Sequence, residues 1–276
     1  MSAISLYARL TPGYEQRVAE TVALLQEAAA RHPGRIVFAT SLGAEDMVLA
    51  ELIARHRLPI ALATLQTGQL HAETLALLPQ LQALYGLTVE QWLPQAEAVL
   101  HFTRSHGELP MRQSIELRKA CCALRKLEPL ARALAGRSAW VTGLRREQSG
   151  ARAEVPFEEH DRTGGSGGDT GSHGVDGSAD HPARTKFNPL ADWSQHDVWH
   201  HIATQSVPYN ALHDAFFPSI GCEPCTRAVA LGEDVRAGRW WWEHEDAKEC
   251  GLHVAPTGTP AATGATGAAH RLENRA

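Results

Sequence analysis

Arg35-Ile-Val-Phe-Ala-Thr40, followed directly by Ser41-Leu-Gly-Ala-Glu-Asp46, decides the fold class. The first six residues are a short apolar run suited to a buried strand. The next six are a loop of mostly small residues that feeds a helix running to about Arg55. The same order recurs downstream. Residues 58–65 read as a second strand, Thr67-Gly68 as its loop, and 71–85 as a helix with Leu75, Leu78 and Leu81 on one side. Residues 87–93 read as a third strand. A helix over 117–134 then leads to Ser138-Ala-Trp-Val-Thr-Gly143, another buried strand. Upstream, Val18, Val22 and Leu25 at helical spacing predict an amphipathic helix over 14–31, stopped by Pro33-Gly34. This alternation predicts an α/β fold, a parallel sheet flanked by helices, with ligands at the carboxyl ends of the strands.

Seven glycines fall between Thr163 and Asp180, with Ser, Asp and Thr supplying most of the rest, too little apolar area to order the segment. Residues 161–183 are therefore expected to be a flexible insertion. Structure should resume at Lys186-Phe-Asn-Pro-Leu190, with Ser194 capping a helix that carries Val198, Trp199 and Ile202. Residues 1–253 read as a single domain whose end, 240–253, is mobile, and 254–276, rich in Ala, Gly and Thr, as a disordered tail.

The 276 residues are 43% hydrophobic and 21% charged, enough for one sizeable core. A formal net charge of −5 argues against a general nucleic-acid binder, which needs a basic excess on at least one face. No stretch is apolar enough to span a bilayer and the first residues lack a secretory pattern, so no membrane association and a cytoplasmic location are expected. In that compartment spaced cysteines point to metal binding or catalysis before disulfides. Association with copies of the same chain is left open.

The cysteines number five: Cys121 and Cys122 adjacent, Cys222 and Cys225 in Gly-Cys-Glu-Pro-Cys, and Cys250 apart in Lys-Glu-Cys-Gly-Leu-His. Four thiolates can hold a metal or an iron–sulfur cluster and leave the fifth for chemistry. Neighbouring helical side chains diverge by roughly 100 degrees, which suits a multi-iron cluster better than one tetrahedral zinc. Spacing alone leaves zinc, iron–sulfur and unligated buried cysteine all open. For Cys250, a spare buried cysteine competes with a nucleophile whose thiolate Lys248 and His253 would favour. Arg145 with Arg146, and Arg227, Arg236 and Arg239, lie beside the cysteine motifs and could hold a small anion; a solvated face is the bland alternative.

Together, Ser41-Leu-Gly-Ala-Glu-Asp46, Thr142-Gly-Leu-Arg-Arg-Glu-Gln-Ser149, the two cysteine pairs, Arg236-Ala-Gly-Arg-Trp-Trp-Trp-Glu243 and Lys248-Glu-Cys-Gly-Leu-His253 resemble the assimilatory adenosine 5'-phosphosulfate (APS) reductases, over about residues 35–253. The resemblance implies an adenine nucleotide alpha-hydrolase-like (PP-loop-like) fold and conversion of APS to sulfite and AMP. It implies that Cys250 attacks the sulfur, forming S-sulfocysteine, and that thioredoxin or a similar dithiol protein releases sulfite. It also implies a [4Fe-4S] cluster on Cys121, Cys122, Cys222 and Cys225, with Lys126 linking cluster and substrate. Ser41 and Gly43 map to the nucleotide loop. Arg145 and Arg146 map to an arginine loop, and Arg236 and Arg239 to phosphosulfate binding. Trp240, Trp241 and Trp242 read as packing. Gln66 departs from the family's usual aspartate and removes a charge there. The rivals are a 3'-phospho-APS (PAPS) reductase or a dual enzyme, an ATP pyrophosphatase, whose Ser-Gly-Gly-x-Asp-Ser loop is missing, and a noncatalytic zinc or iron–sulfur protein.

Overall fold

The computed structural model of the chain describes residues 2–161, 184–230 and 232–244. Residues 162–183 of the glycine-rich insertion, 245–253 with Cys250, and the tail 254–276 lie outside the described residues. The elements run α1 (Ala3–Tyr7), α2 (Tyr14–Arg31), β1 (Ile36–Thr40), α3 (Ala44–Arg55), β2 (Ala61–Leu65), α4 (Ala72–Leu75), α5 (Leu77–Tyr85) and β3 (Val89–Trp92). They continue with α6 (Ala96–His106), α7 (Ile115–Cys122), α8 (Glu128–Ala133), β4 (Ala139–Val141), β5 (Glu158–Asp161), β6 (Arg184–Phe187) and α9 (Gln195–Gln205).

The six strands form one sheet in the order β3-β2-β1-β4-β6-β5. All pairs are parallel except β5 with β6, in the register Glu158↔Phe187. Alternation along β1 builds both faces. Ile36 and Phe38 join a core with Met47, Leu49, Leu62, Val141, Phe187, Trp193 and Val198, under α3 and α9. Val37 faces the other way, onto Ala63, Leu130, Leu134 and Trp140, under α8. Helix α9 starts at Ser194 as expected: the Ser194 Oγ accepts from the Asp197 N–H at 3.1 Å, and Asp197 Oδ2 accepts from the Ser194 N–H at 2.8 Å.

Proline accounts for most of the boundaries that pattern reading misplaces. Pro79 has no N–H for the carbonyl four residues back, and the expected helix over 71–85 divides into α4 and α5. Pro129 does the same to the helix expected over 117–134, which divides into α7, a π-helical turn over Ala123–Leu127, and α8. Pro59 and the left-handed Arg57, at φ 50°, hold the second strand back to Ala61. The edge strand β5, Glu158–Asp161, is wholly polar and has no apolar period to announce it, whereas α6, none of whose residues is buried, carries an amphipathic pattern that pattern reading passed over.

Candidate active site

Chain order reverses direction across the sheet between β1 and β4, because β2 and β3 extend one way and β6 and β5 the other. A crevice opens at such a switch point, beyond the carboxyl ends of the strands. Here it is a cleft of about 280 Å³, bordered by the segment after β1 (Ser41, Gly43, Glu45, Asp46) and the segment after β4 (Gly143, Arg145). Lys126, Cys222, Arg236, Arg239 and Trp240 border it as well.

The loop after β1 is shaped from within. Leu42 is left-handed at φ 61° and buried, and its N–H donates to Thr40 Oγ1 at 3.0 Å. Asp46, in the first turn of α3, folds back so that its Oδ2 accepts from the Ser41 N–H at 2.5 Å and from the Ser41 hydroxyl at 2.7 Å. A side chain on Gly143 would collide with the Asp46 carboxylate, so glycine is required for the β4 loop to close on it. Burial raises the Asp46 pKa to about 6, against the hydrogen bonds from Ser41 that favour the carboxylate.

Glu45 behaves oppositely. Burial works against its charge, yet the Arg145 guanidinium and the Gln148 amide hold its carboxyl below the usual range. Glu45 Oε1 receives Arg145 Nε at 3.0 Å, Arg145 Nη2 at 2.9 Å and Gln148 Nε2 at 3.0 Å. Arg145 also donates through Nη1 to Glu147 at 2.9 Å and to the Trp193 carbonyl at 3.2 Å. Arg146 is placed elsewhere. It pairs with Asp192, donates to the Val155 carbonyl at 2.8 Å, stacks over Phe157 at 5.2 Å, and does not border the cleft. Gln66 has a local task, its Oε1 accepting from the Gly68 N–H at 3.0 Å.

The four cysteines meet across a sequence gap of about one hundred residues, a loop-closure cost that the surrounding packing must offset. Cys121, Cys222 and Cys225 are buried together with Met111 and Trp240, with Cys122 packed against them. All four border one small cavity, with Arg118, Arg125, Lys126 and Arg239. The loop bearing Cys222 is fixed to the end of β2 by the Leu70↔Cys222 bridge and by the Glu223 N–H donating to the Gln69 carbonyl at 2.8 Å. Thr67 Oγ1 lies 3.3 Å from the Cys222 sulfur, and Arg125 Nη1 donates to the Thr67 carbonyl at 2.7 Å. Burial pushes the Cys121 thiol up and the Cys225 thiol up to about 11. Among the described residues, no group of three or more His, Cys, Asp or Glu side chains is arranged to hold a single metal ion.

Trp240 is a fully buried wall between two guanidinium groups, with Arg118 at 4.6 Å and Arg239 at 4.7 Å from its ring centre. Arg118 also pairs with Glu243 at 2.7 Å, both side chains at most 3% exposed. A side chain at Gly221 would overlap the Arg239 guanidinium, whose Nη1 donates to the Ile220 carbonyl at 3.2 Å. Lys126, Cys222, Arg239 and Trp240 border both the cleft and the cysteine cavity, which makes the two spaces neighbours.

Of the residues expected from sequence, Ser41, Gly43, Lys126, Arg145, Arg236 and Arg239 come together around the cleft and the four cysteines beside it, while Cys250 lies outside the described residues. Pattern reading missed Glu45, Asp46, Arg118, Arg125 and Glu243 as parts of the site. The acidic pair was visible in the first turn of α3, where a carboxylate stabilises the helix start. The buried arginines gave no local signal, because their partners lie far away in sequence.

A mostly parallel sheet with a switch-point cleft and an adjoining thiol cavity defines an α/β protein with a cysteine centre. The phosphoadenosine phosphosulfate reductase domain family matches residues 35–228, and the chain belongs to it. Among its relatives is a protein of Allochromatium vinosum named adenosine 5'-phosphosulfate reductase, 51% identical over 237 residues, which are 86% of this chain and 85% of that protein. A protein of the same name from Burkholderia cepacia is 47% identical over 261 residues, 95% of this chain and 97% of its own length. The fold is also that of the phosphoadenylyl-sulfate (PAPS) reductase of Candida auris, solved as a phosphate complex, at TM-score 0.58 and 23% identity over 79% of this chain and 98% of that one. The α/β, adenine nucleotide alpha-hydrolase-like architecture expected from sequence is therefore the one found.

Proposed function

We propose that this chain reduces adenosine 5'-phosphosulfate to sulfite and AMP in sulfate assimilation, with Cys250 as nucleophile and thioredoxin or a similar dithiol protein as reductant. The observation that carries the reading is the adjacency of a nucleotide-sized cleft at the sheet's switch point to a cavity bordered by four cysteines, with Lys126, Cys222, Arg239 and Trp240 common to both. Relatives close to half identical over most of both chains and named for that activity support it.

The nucleoside lies against the loops after β1 and β4, and the anionic phosphosulfate against Lys126, Arg236 and Arg239, where guanidinium forks match the geometry of the oxygens. The Cys250 thiolate attacks the sulfur, and the bond from sulfur to the phosphate oxygen breaks. AMP leaves with that electron pair, and S-sulfocysteine remains. A reductant thiolate then attacks the Cys250 sulfur, expelling sulfite and forming a mixed disulfide. The reductant's second thiol resolves it and restores the Cys250 thiol.

The residues beside the cleft fit a [4Fe-4S] cluster: four thiol donors on one buried cavity, with Lys126, Arg125 and Arg239 close by to offset thiolate charge. Cys121, Cys122, Cys222 and Cys225 would hold it. It would supply structural support and local charge there, and Lys126, which borders both spaces, would face the anionic end of the substrate.

Sulfite release from APS in the presence of thioredoxin and its reductase tests the reading. The wild type should turn over and Cys250→Ser should not, while retaining AMP binding. Turnover by Cys250→Ser would contradict the assignment of the nucleophile, and preference for PAPS would move the reading to the 3'-phosphorylated substrate.

A further inference from the structure

The cleft has two electrostatically different ends, and one carboxylate marks the end away from the cysteines. Lys126 and Arg239 border both the cleft and the cysteine cavity, so a nucleoside 5'-phosphosulfate, bound as above, places its anionic chain there and its nucleoside toward Ser41, Gly143 and Arg145. At that end three carboxylates border the cleft, those of Glu45, Asp46 and Glu147. Asp46 is buried and closed over by Ser41. Glu147 is turned outward, 56% exposed, and committed to Arg145 and to the backbone N–H of Gln195 at 2.5 Å.

Glu45 remains, and its two oxygens are unequal. Oε1 takes both contacts from Arg145 and the one from Gln148, whereas Oε2 takes no side-chain hydrogen bond and lies on the Gly43 side of the loop. The Arg145 guanidinium, the Glu45 backbone N–H and the Gln148 amide together hold the carboxyl below the usual range, so it presents a negative charge to the cleft wall. The cations at this end are engaged already: Arg145 with Glu45 and Glu147, Arg152 with Gln148 Oε1 at 2.5 Å.

We propose that Glu45 Oε2 accepts a hydrogen bond from the ribose hydroxyls of the bound nucleotide and, by the same charge, rejects a 3'-phosphate, which makes Glu45 a specificity-determining residue for the unphosphorylated substrate. This rests on the proposed nucleotide function. A carboxylate is an acceptor only, so it rewards a hydroxyl donor and repels a phosphate placed on the same carbon. Asp or Glu reading ribose hydroxyls is the common solution at the switch points of other parallel sheets.

The test is calorimetric titration of AMP, 3'-deoxy-AMP, inosine 5'-monophosphate and adenosine 3',5'-bisphosphate into wild type and Glu45→Gln, with thermal melts to confirm folding. Wild type should prefer AMP over the 3',5'-bisphosphate, and Glu45→Gln should narrow that ratio by about 10-fold or more, since charge repulsion is removed while an acceptor stays. It should also shrink the penalty for 3'-deoxy-AMP and leave that for the inosine nucleotide unchanged. An unaltered ratio between AMP and the bisphosphate would overturn the proposal, as would a change confined to the inosine nucleotide, which would put Glu45 on the base. Failure of wild type to bind any of the four would instead sink the nucleotide function itself.

Discussion

The two ends of the cleft solve the problem of buried charge in different ways. At the β1 and β4 end the charges answer one another within the chain: Glu45 with Arg145 and Gln148, Asp46 with Ser41. At the cysteine end Arg125, Lys126 and Arg239 gather around four thiols, and burial disfavours the anions of two of them, Cys121 and Cys225. The first end is preorganised by the protein. The second is a donor set that a cluster would complete, with its thiolates then balanced by those cations. Pairing inside the chain fixes the shape of the nucleotide end, and the cofactor is expected to fix the other.

The strongest way to break this comparison is to remove a thiol. Cys222→Ser, purified anaerobically, should lose bound iron and acid-labile sulfide to background along with turnover. One zinc per wild-type chain, with no sulfide, would erase the distinction. Next in size is the buried Arg118–Glu243 pair behind Trp240. Glu243→Ala takes a carboxylate away from a buried guanidinium and should destabilise the protein by more than about 1 kcal/mol, read by denaturant unfolding of the loaded protein. A loss below about 1 kcal/mol, the level of an exposed pair, would show that this buried pair contributes no more than a solvated one.

Asp46 sharpens the other end. Its pKa is raised in the folded chain, so the native state holds a proton that the unfolded state has released between about pH 4 and pH 6. Stability from this residue is greatest at low pH and falls as pH rises through that window. Relative to Asp46→Asn, the wild type should therefore lose about 2 kcal/mol between pH 4 and pH 7, at 1.36 kcal/mol per pKa unit. A difference between the two proteins that does not change with pH would contradict the buried, desolvated placement. The smallest effect belongs to Arg146. With its Asp192 pair 36% and 46% exposed, Arg146→Ala should cost less than about 1 kcal/mol and leave AMP affinity nearly unchanged.

The strand, loop and helix order around Arg35–Asp46 was legible because a buried parallel strand and an amphipathic helix each write a short-range pattern. The cysteine pairs were legible as types, although nothing local says that positions 121 and 222 meet. Arg145 and Arg146 show the limit. Adjacent and identical, they are sent to different places by partners far away in sequence: Glu45 for Arg145, and Asp192 with Phe157 for Arg146. The breaks at Pro79 and Pro129 had a local cause and could have been read. The π-helical turn over Ala123–Leu127, which carries Arg125 and Lys126 beside the thiols, follows from the second of them.

The most direct measurement is the intact mass of anaerobically purified, cluster-loaded protein after incubation with APS, and separately with PAPS, in the absence of any dithiol, followed by peptide mapping. The account predicts a gain of one sulfonate group on Cys250 from APS, much less from PAPS, and its removal by thioredoxin. No adduct from either nucleotide on protein with its cluster intact would contradict it.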